Sequence, residues 1–109
     1  MDVLSLQEES RRVLIEEKLV DYLIQVVHKT RNHPEIALGV SPRGSGALFR
    51  AAQSLALIEG RSFALPDDIK RLVEPVFAHR LMMVRTSGRP RTDARTVLRE
   101  ILEQTAVPA

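Results

Sequence analysis

The chain contains no cysteine and no tryptophan, and its aromatic residues are three phenylalanines and one tyrosine. Without thiols it can form no disulfide, present no thiolate nucleophile and hold no metal through sulfur, a composition that fits a reducing compartment and leads to the cytoplasm as the expected location. No apolar run approaches the ~18 residues of a membrane span. Met1-Asp2-Val3-Leu4-Ser5 also lacks the basic start and apolar core of a secretion signal, so no membrane association is expected. Repeats and low-complexity tracts are missing as well.

What remains suits a single helical domain of ordinary globular character. The 109 residues are 44% hydrophobic and 28% charged, and a chain of this length buries roughly 65% of its unfolded surface, enough for a modest core. The formal charge is +2, with thirteen arginines against three lysines. Arg80, Arg85, Arg89, Arg91, Arg95 and Arg99 crowd the last third. Such a run can neutralise nucleic-acid phosphates or form a basic face that meets solvent or an acidic protein. The low aromatic count and the lack of a recognition-helix pattern make nucleic acid the weaker of these.

Turn signals divide the chain into short segments of mostly helical period, which predicts an all-α fold, a small bundle of four to six helices. Ser5-Leu6-Gln7-Glu8 has the form of a capping box and predicts a helix start at Ser5. Val13-Leu14-Ile15 is as compatible with extended chain as with helix. Leu19, Tyr22, Leu23, Val26 and Val27 then mark an amphipathic helix limited by Pro34. Ser41 can cap a further helix with Pro42 at its first position, a core face of Leu48, Ala51, Ala52, Leu55 and Ala56, and Gly60 beyond its end. Pro66-Asp67-Asp68 opens another, with carboxylates near the positive helix end and Ile69, Leu72 and Val73 inward. Pro75 is expected to break or restart it. Positions 84–92 are polar and predict a mobile loop, before a last helix on Val97, Leu98, Ile101 and Leu102 and a frayed tail from about 105 to 109.

The densest chemistry lies in Gly39-Val40-Ser41-Pro42-Arg43-Gly44-Ser45-Gly46. Gly39 and Gly44 have the glycine spacing of a phosphate loop, but Ser45 stands where lysine is required and Gly46 where a hydroxyl is required. An arginine at a helix entrance is the alternative. There Arg43 joins free amides and the positive dipole end in a place that suits a phosphate, although a solvated arginine beside a cap has the same spacing. His28, His33 and His79 are too scattered for a metal site, so no metal ligand is expected. Asp67 and Asp68 are adjacent and diverge on a helix, which suits the dipole better than acid–base catalysis.

The order of the segments resembles the C-terminal lid domain of the MoxR family of AAA+ ATPases. The resemblance rests on Tyr22-Leu23-Ile24, Thr30-Arg31-Asn32-His33-Pro34-Glu35 and Leu38-Gly39-Val40-Ser41-Pro42-Arg43-Gly44-Ser45. It continues through Ala51-Ala52, Leu55-Ala56, Gly60-Arg61, Pro66-Asp67-Asp68-Ile69 and His79-Arg80-Leu81, covering most of the chain. It implies that Arg43 is the second-sensor arginine, approaching the γ-phosphate of ATP, with Ser41 and Pro42 positioning it. It further implies ATP and magnesium for a full-length ATPase, no tightly bound cofactor and no activity for these 109 residues alone, and a nucleotide-binding core outside them. The implied partners are that core, a homo-oligomeric ring such as a hexamer, in which Arg43 serves the neighbouring subunit's nucleotide rather than its own, and a protein bearing a von Willebrand A-type domain. The implied activity is chaperone-like remodelling. Gly44 departs from the family's usual alanine, and Leu65 from a hydroxyl residue, which predicts a loose first turn at one helix and a shortened or weakened start at the other. Two other classes stay open on the residues alone: an independent nucleic-acid-binding module and a protein-binding helical adaptor.

Overall fold

The computed structural model describes residues 3–84 and 93–108. Its elements run α1 (Val3–Ser10), α2 (Glu17–Arg31), β1 (Ile36–Leu38), α3 (Pro42–Ile58), α4 (Pro66–Phe77), a 3-10 turn (Ala78–Arg80), β2 (Met82–Met83) and α5 (Ala94–Gln104). The helical expectation holds, with one addition. β1 and β2 form a short antiparallel ribbon in which Ile36 faces Met83 and Leu38 faces Met82 across a local irregularity.

α2 forms because its apolar residues recur on one face: Leu19, Tyr22, Leu23, Val26 and Val27 are all buried. They meet Leu48, Ala52 and Ala56 of α3, Ile69, Val73 and Phe77 of α4, and Val97, Leu98 and Ile101 of α5 in one core. Ala51, Leu55, Leu72 and Leu102 are half-buried at its margin. The open choice at residues 13–15 resolves as extended chain. Leu14 donates its N–H to the Ser62 carbonyl (2.9 Å) and accepts from Ala64 (2.9 Å), a parallel bridge that joins the two helix connections. The buried Gln53 amide seals it by donating to the Val13 carbonyl at 3.1 Å.

α3 ends as its glycine predicts. Gly60 takes φ +77°, and the N–H groups of Gly60 and Arg61 return to the carbonyls of Leu57 (2.9 Å) and Ala56 (2.8 Å), the paired closure of a left-handed helix terminus. α4 differs from expectation in two respects. Despite Leu65, it starts fully at Pro66, because the Asp68 carboxylate reaches back to accept the Leu65 N–H at 2.7 Å. Pro75 does not break it: the helix runs through to Phe77. The proline is exposed, so the Arg71 carbonyl that loses its partner is on the solvent side, where water replaces the missing donor. Ser5 also departs from its expected role, since α1 is already under way at Val3 and holds Ser5 in its first turn.

Ion pairs fasten the helices at their ends. Arg61 grips Asp68 through both guanidinium nitrogens (2.7 and 2.8 Å) and also meets Glu59 at 2.9 Å. Burial by itself would raise the Asp68 carboxyl; the bonds from Arg61 and the Leu65 N–H outweigh it and hold that carboxyl below the usual aspartate range. On α5, Arg95 and Arg99 both donate to Glu74 of α4. Lys29 bonds the Gln104 carbonyl (2.8 Å) and the Thr105 hydroxyl (2.9 Å). Thr105, where the tail was expected to start, is buried. Of the loop expected at 84–92, residues 85–92 lie outside the described residues; Val84 donates to the Glu35 carbonyl at 3.0 Å.

Candidate functional site

The entrance to α3 is built on the last turn of α2. The Thr30 hydroxyl donates to the Val27 carbonyl at 2.6 Å and accepts the Val40 N–H at 3.1 Å. Arg31 adds a second tie, its Nε donating to the Val40 carbonyl at 2.9 Å. Gly39 lets this segment lie flat on the helix: a Cβ there would come within 2.8 Å of the Arg31 backbone N and Cα. The glycine that resembled part of a phosphate loop is thus a packing glycine. Gly39→Ala should destabilise the domain by about 2 kcal/mol, because backbone cannot yield as a flexible side-chain tip does. A urea denaturation curve for that variant checks it.

Ser41 and Pro42 act as their residue types dictate. The Ser41 hydroxyl accepts the Gly44 N–H at 3.2 Å, its carbonyl takes the Ser45 N–H at 3.0 Å, and Pro42 fills the first helical position. Arg43 follows in the first turn. Its side chain is exposed and makes no hydrogen bond or ion pair among the described residues. Its own N–H likewise has no acceptor there. An open guanidinium and an open amide thus share the positive end of a 17-residue helix.

Three further arginines border this end, and the sequence pattern assigns none of them a role there. Arg50, from the next turn of α3, has its Nη1 3.2 Å from where a Gly46 Cβ would stand. Arg31 spends one nitrogen on a neutral carbonyl, as above. Arg80 comes from the 3-10 turn, and its Cδ lies 3.2 Å from where a Gly44 Cβ would stand. The signal for Arg80 was its place in the His79-Arg80-Leu81 segment, although composition grouped it with the C-terminal arginines. Of that group, Arg95 and Arg99 are held by Glu74, and Arg85, Arg89 and Arg91 lie outside the described residues.

The other candidate groups stay apart from this end. His33 accepts the Glu35 N–H at Nδ1 (3.0 Å), with Nε2 4.0 Å from Glu100; His28 and His79 are exposed. No group of three or more His, Asp or Glu that could hold a metal occurs among the described residues. Asp67 is exposed and Asp68 buried, the divergence expected of neighbours on a helix.

A family model described as the AAA lid domain matches residues 28–101, a span from the end of α2 to α5 that includes the whole α3 entrance. The chain belongs to the AAA lid domain family. This lid is 39% identical over 107 residues to the uncharacterized protein YeaC of Bacillus subtilis (strain 168), covering 98% of the lid and 33% of that protein. It is 32% identical over 116 residues to the chaperone MoxR1 of Mycobacterium tuberculosis, covering 98% and 31%. A shorter match, 49% over 45 residues, joins 41% of it to 13% of the protein MoxR of Paracoccus denitrificans. In three dimensions it resembles the crystal structure of a proposed ATPase from Cytophaga hutchinsonii, with a TM-score of 0.87 and 26% identity, over 94% of the lid and 34% of that chain. The lid therefore spans about a third of the length of these long-match relatives. Among the described residues no helix is long and apolar enough to cross a membrane.

Proposed function

We propose that this lid closes over the nucleotide of an ATPase core, and that Arg43 presents its guanidinium to the terminal phosphate of ATP. The observation that carries this reading is the contrast between Arg43 and the arginines that stabilise the fold. Arg61, Arg71, Arg95 and Arg99 all have carboxylate partners, whereas Arg43 is exposed and unpaired among the described residues on a capped helix end. A guanidinium fork matches phosphate oxygens, and the helix end adds to its field.

In this reading Ser41 and Pro42 fix the direction of α3, and Arg43 stabilises charge on the phosphoryl group as it transfers. The chain has no Gly-Lys-Ser/Thr loop, so the phosphate loop and magnesium belong to the core. Once the terminal phosphate leaves, Arg43 loses its partner and the lid is free to reorient. That motion would drive chaperone-like remodelling in a cytoplasmic ring, with Arg43 reaching the neighbouring subunit's nucleotide and a von Willebrand A-type partner docking on the assembly.

The test is nucleotide discrimination by the ATPase that carries this domain. Arg43→Ala should weaken binding of a non-hydrolysable ATP analogue about tenfold and leave ADP binding unchanged. Equal effects on both nucleotides, or none, would overturn the assignment. The competing nucleic-acid reading has less charge to draw on, since Glu74 occupies Arg95 and Arg99. It predicts salt-sensitive binding of this chain to duplex or single-stranded DNA in a titration at two salt concentrations.

A further inference from the structure

We propose that Arg80 is a second phosphate-contacting residue, acting beside Arg43 on the same anion. The inference rests on the reading that the α3 entrance meets the terminal phosphate, and it is carried by where the fold places Arg80.

The ribbon brings the two arginines to one end of the domain. Leu38 faces Met82; three residues after Leu38 the chain reaches Ser41, and two residues before Met82 lies Arg80. The Arg80 stem then passes over Gly44, in the first turn of α3. A Cβ on Gly44 would stand 3.2 Å from Arg80 Cδ and 2.8 Å from Val40 Cγ1, so the missing methyl leaves room for the stem. Gly44, a departure from the alanine usual in the resembling family, thus has a positive structural role.

This position is electrostatically unfavourable for a cation unless an anion comes with it. The end of α3 is the positive pole of its dipole, and a guanidinium gains nothing from it. Arg80 is exposed and has no hydrogen bond or carboxylate partner among the described residues. Arg43, in the first turn of α3, is in the same state, and Arg31 beside them spends only its Nε, on a carbonyl. Arg61, Arg95 and Arg99, by contrast, are each neutralised by a carboxylate. Two unpaired guanidiniums against one positive helix end suit a multiply charged anion such as a triphosphate, whose several oxygens can accept from both.

The experiment compares Arg80→Gln, Arg80→Ala and Arg43→Ala in the ATPase that carries this domain, reading affinity for a non-hydrolysable ATP analogue and for ADP alongside Tm. Arg80→Gln keeps part of the stem over Gly44 and removes the charge. The expected result is a loss of roughly tenfold in analogue affinity for Arg80→Gln and Arg80→Ala alike, with ADP affinity and Tm unchanged. If Arg43→Ala loses affinity and Arg80→Gln does not, the role of Arg80 is overturned and that of Arg43 stands. If neither changes, the reading of the entrance fails and the Arg80 inference with it. A fall in Tm for Arg80→Ala, with Arg80→Gln like wild type in both Tm and affinity, would make Arg80 a packing residue and also overturn the inference.

Discussion

If the proposed role holds, Arg43→Ala should lower ATP turnover by about 10²- to 10³-fold in the full-length protein that carries this domain, with no loss of domain stability. The size follows from the role: a cation acting on developing phosphoryl charge in a closed site is not replaced by water when it is removed. The unchanged stability follows from the structure, because Arg43 is exposed and makes no bond within the described fold, and alanine is the better helix former at that turn. Arg43→Lys should recover only part of the rate, since a point charge cannot reproduce the two-pronged contact. Steady-state turnover alongside thermal unfolding checks the prediction; wild-type turnover, or a rate loss that tracks a loss of fold, would count against it. Mixing Arg43→Ala subunits with subunits inactivated in their cores then reports the direction of the contact. Recovered turnover in the mixture is expected if Arg43 serves its neighbour.

The largest effect on stability is expected at Asp68. Its carboxylate is 1% exposed and takes three bonds, two from Arg61 and one from the Leu65 N–H. Asp68→Ala leaves the Leu65 N–H without its acceptor at the start of α4 and strips the partly covered Arg61 guanidinium of its buried partner, leaving it only Glu59 and the Phe63 carbonyl. The substitution should destabilise the domain by about 3 kcal/mol. The pH dependence has a definite sign. The folded-state carboxyl lies below its unfolded value, so the pair contributes fully above the ordinary aspartate range, and its contribution is lost as pH falls through the folded-state value. Wild type and Asp68→Asn should therefore differ most near neutral pH and converge in acid. Denaturation curves at neutral and strongly acidic pH test this, and a gap independent of pH would contradict it. Glu59 and Glu74 are also held below the usual glutamate range, chiefly by hydrogen bonds from Arg61 and Arg99 respectively. They lie at the surface, where salt screens them.

What the sequence made legible was chemistry set by near neighbours. Ser41-Pro42 could be read as a helix start because a hydroxyl cap and a proline at the first position act within one turn, and Gly60 as a stop because a left-handed closure involves only the residues beside it. The Arg61–Asp68 pair and the closing of α4 by Asp68 are harder to read from sequence, although Asp68 stands at the third position after its cap. Leu65 lacks the capping hydroxyl, but that hydroxyl is only half of a reciprocal cap. Pro75 reads in one dimension as a break, but an exposed proline can leave its orphaned carbonyl to water and the helix continues. The ribbon was invisible because three residues against two are too few to show alternation. Gly39, Gly44 and Arg80 depend on elements distant in sequence: a glycine chosen for close approach looks the same in one dimension as a glycine chosen for a turn. At the site, Arg43 was singled out from the sequence and the company it keeps was not.

The most direct measurement of the central claim is photo-crosslinking with an ATP analogue that carries its reactive group on the γ-phosphate, followed by peptide mapping of the full-length protein that contains this lid. The account predicts label within the α3 entrance, residues 39–46, lost when excess ATP competes. Label confined to the core, with none reaching that entrance, would contradict it.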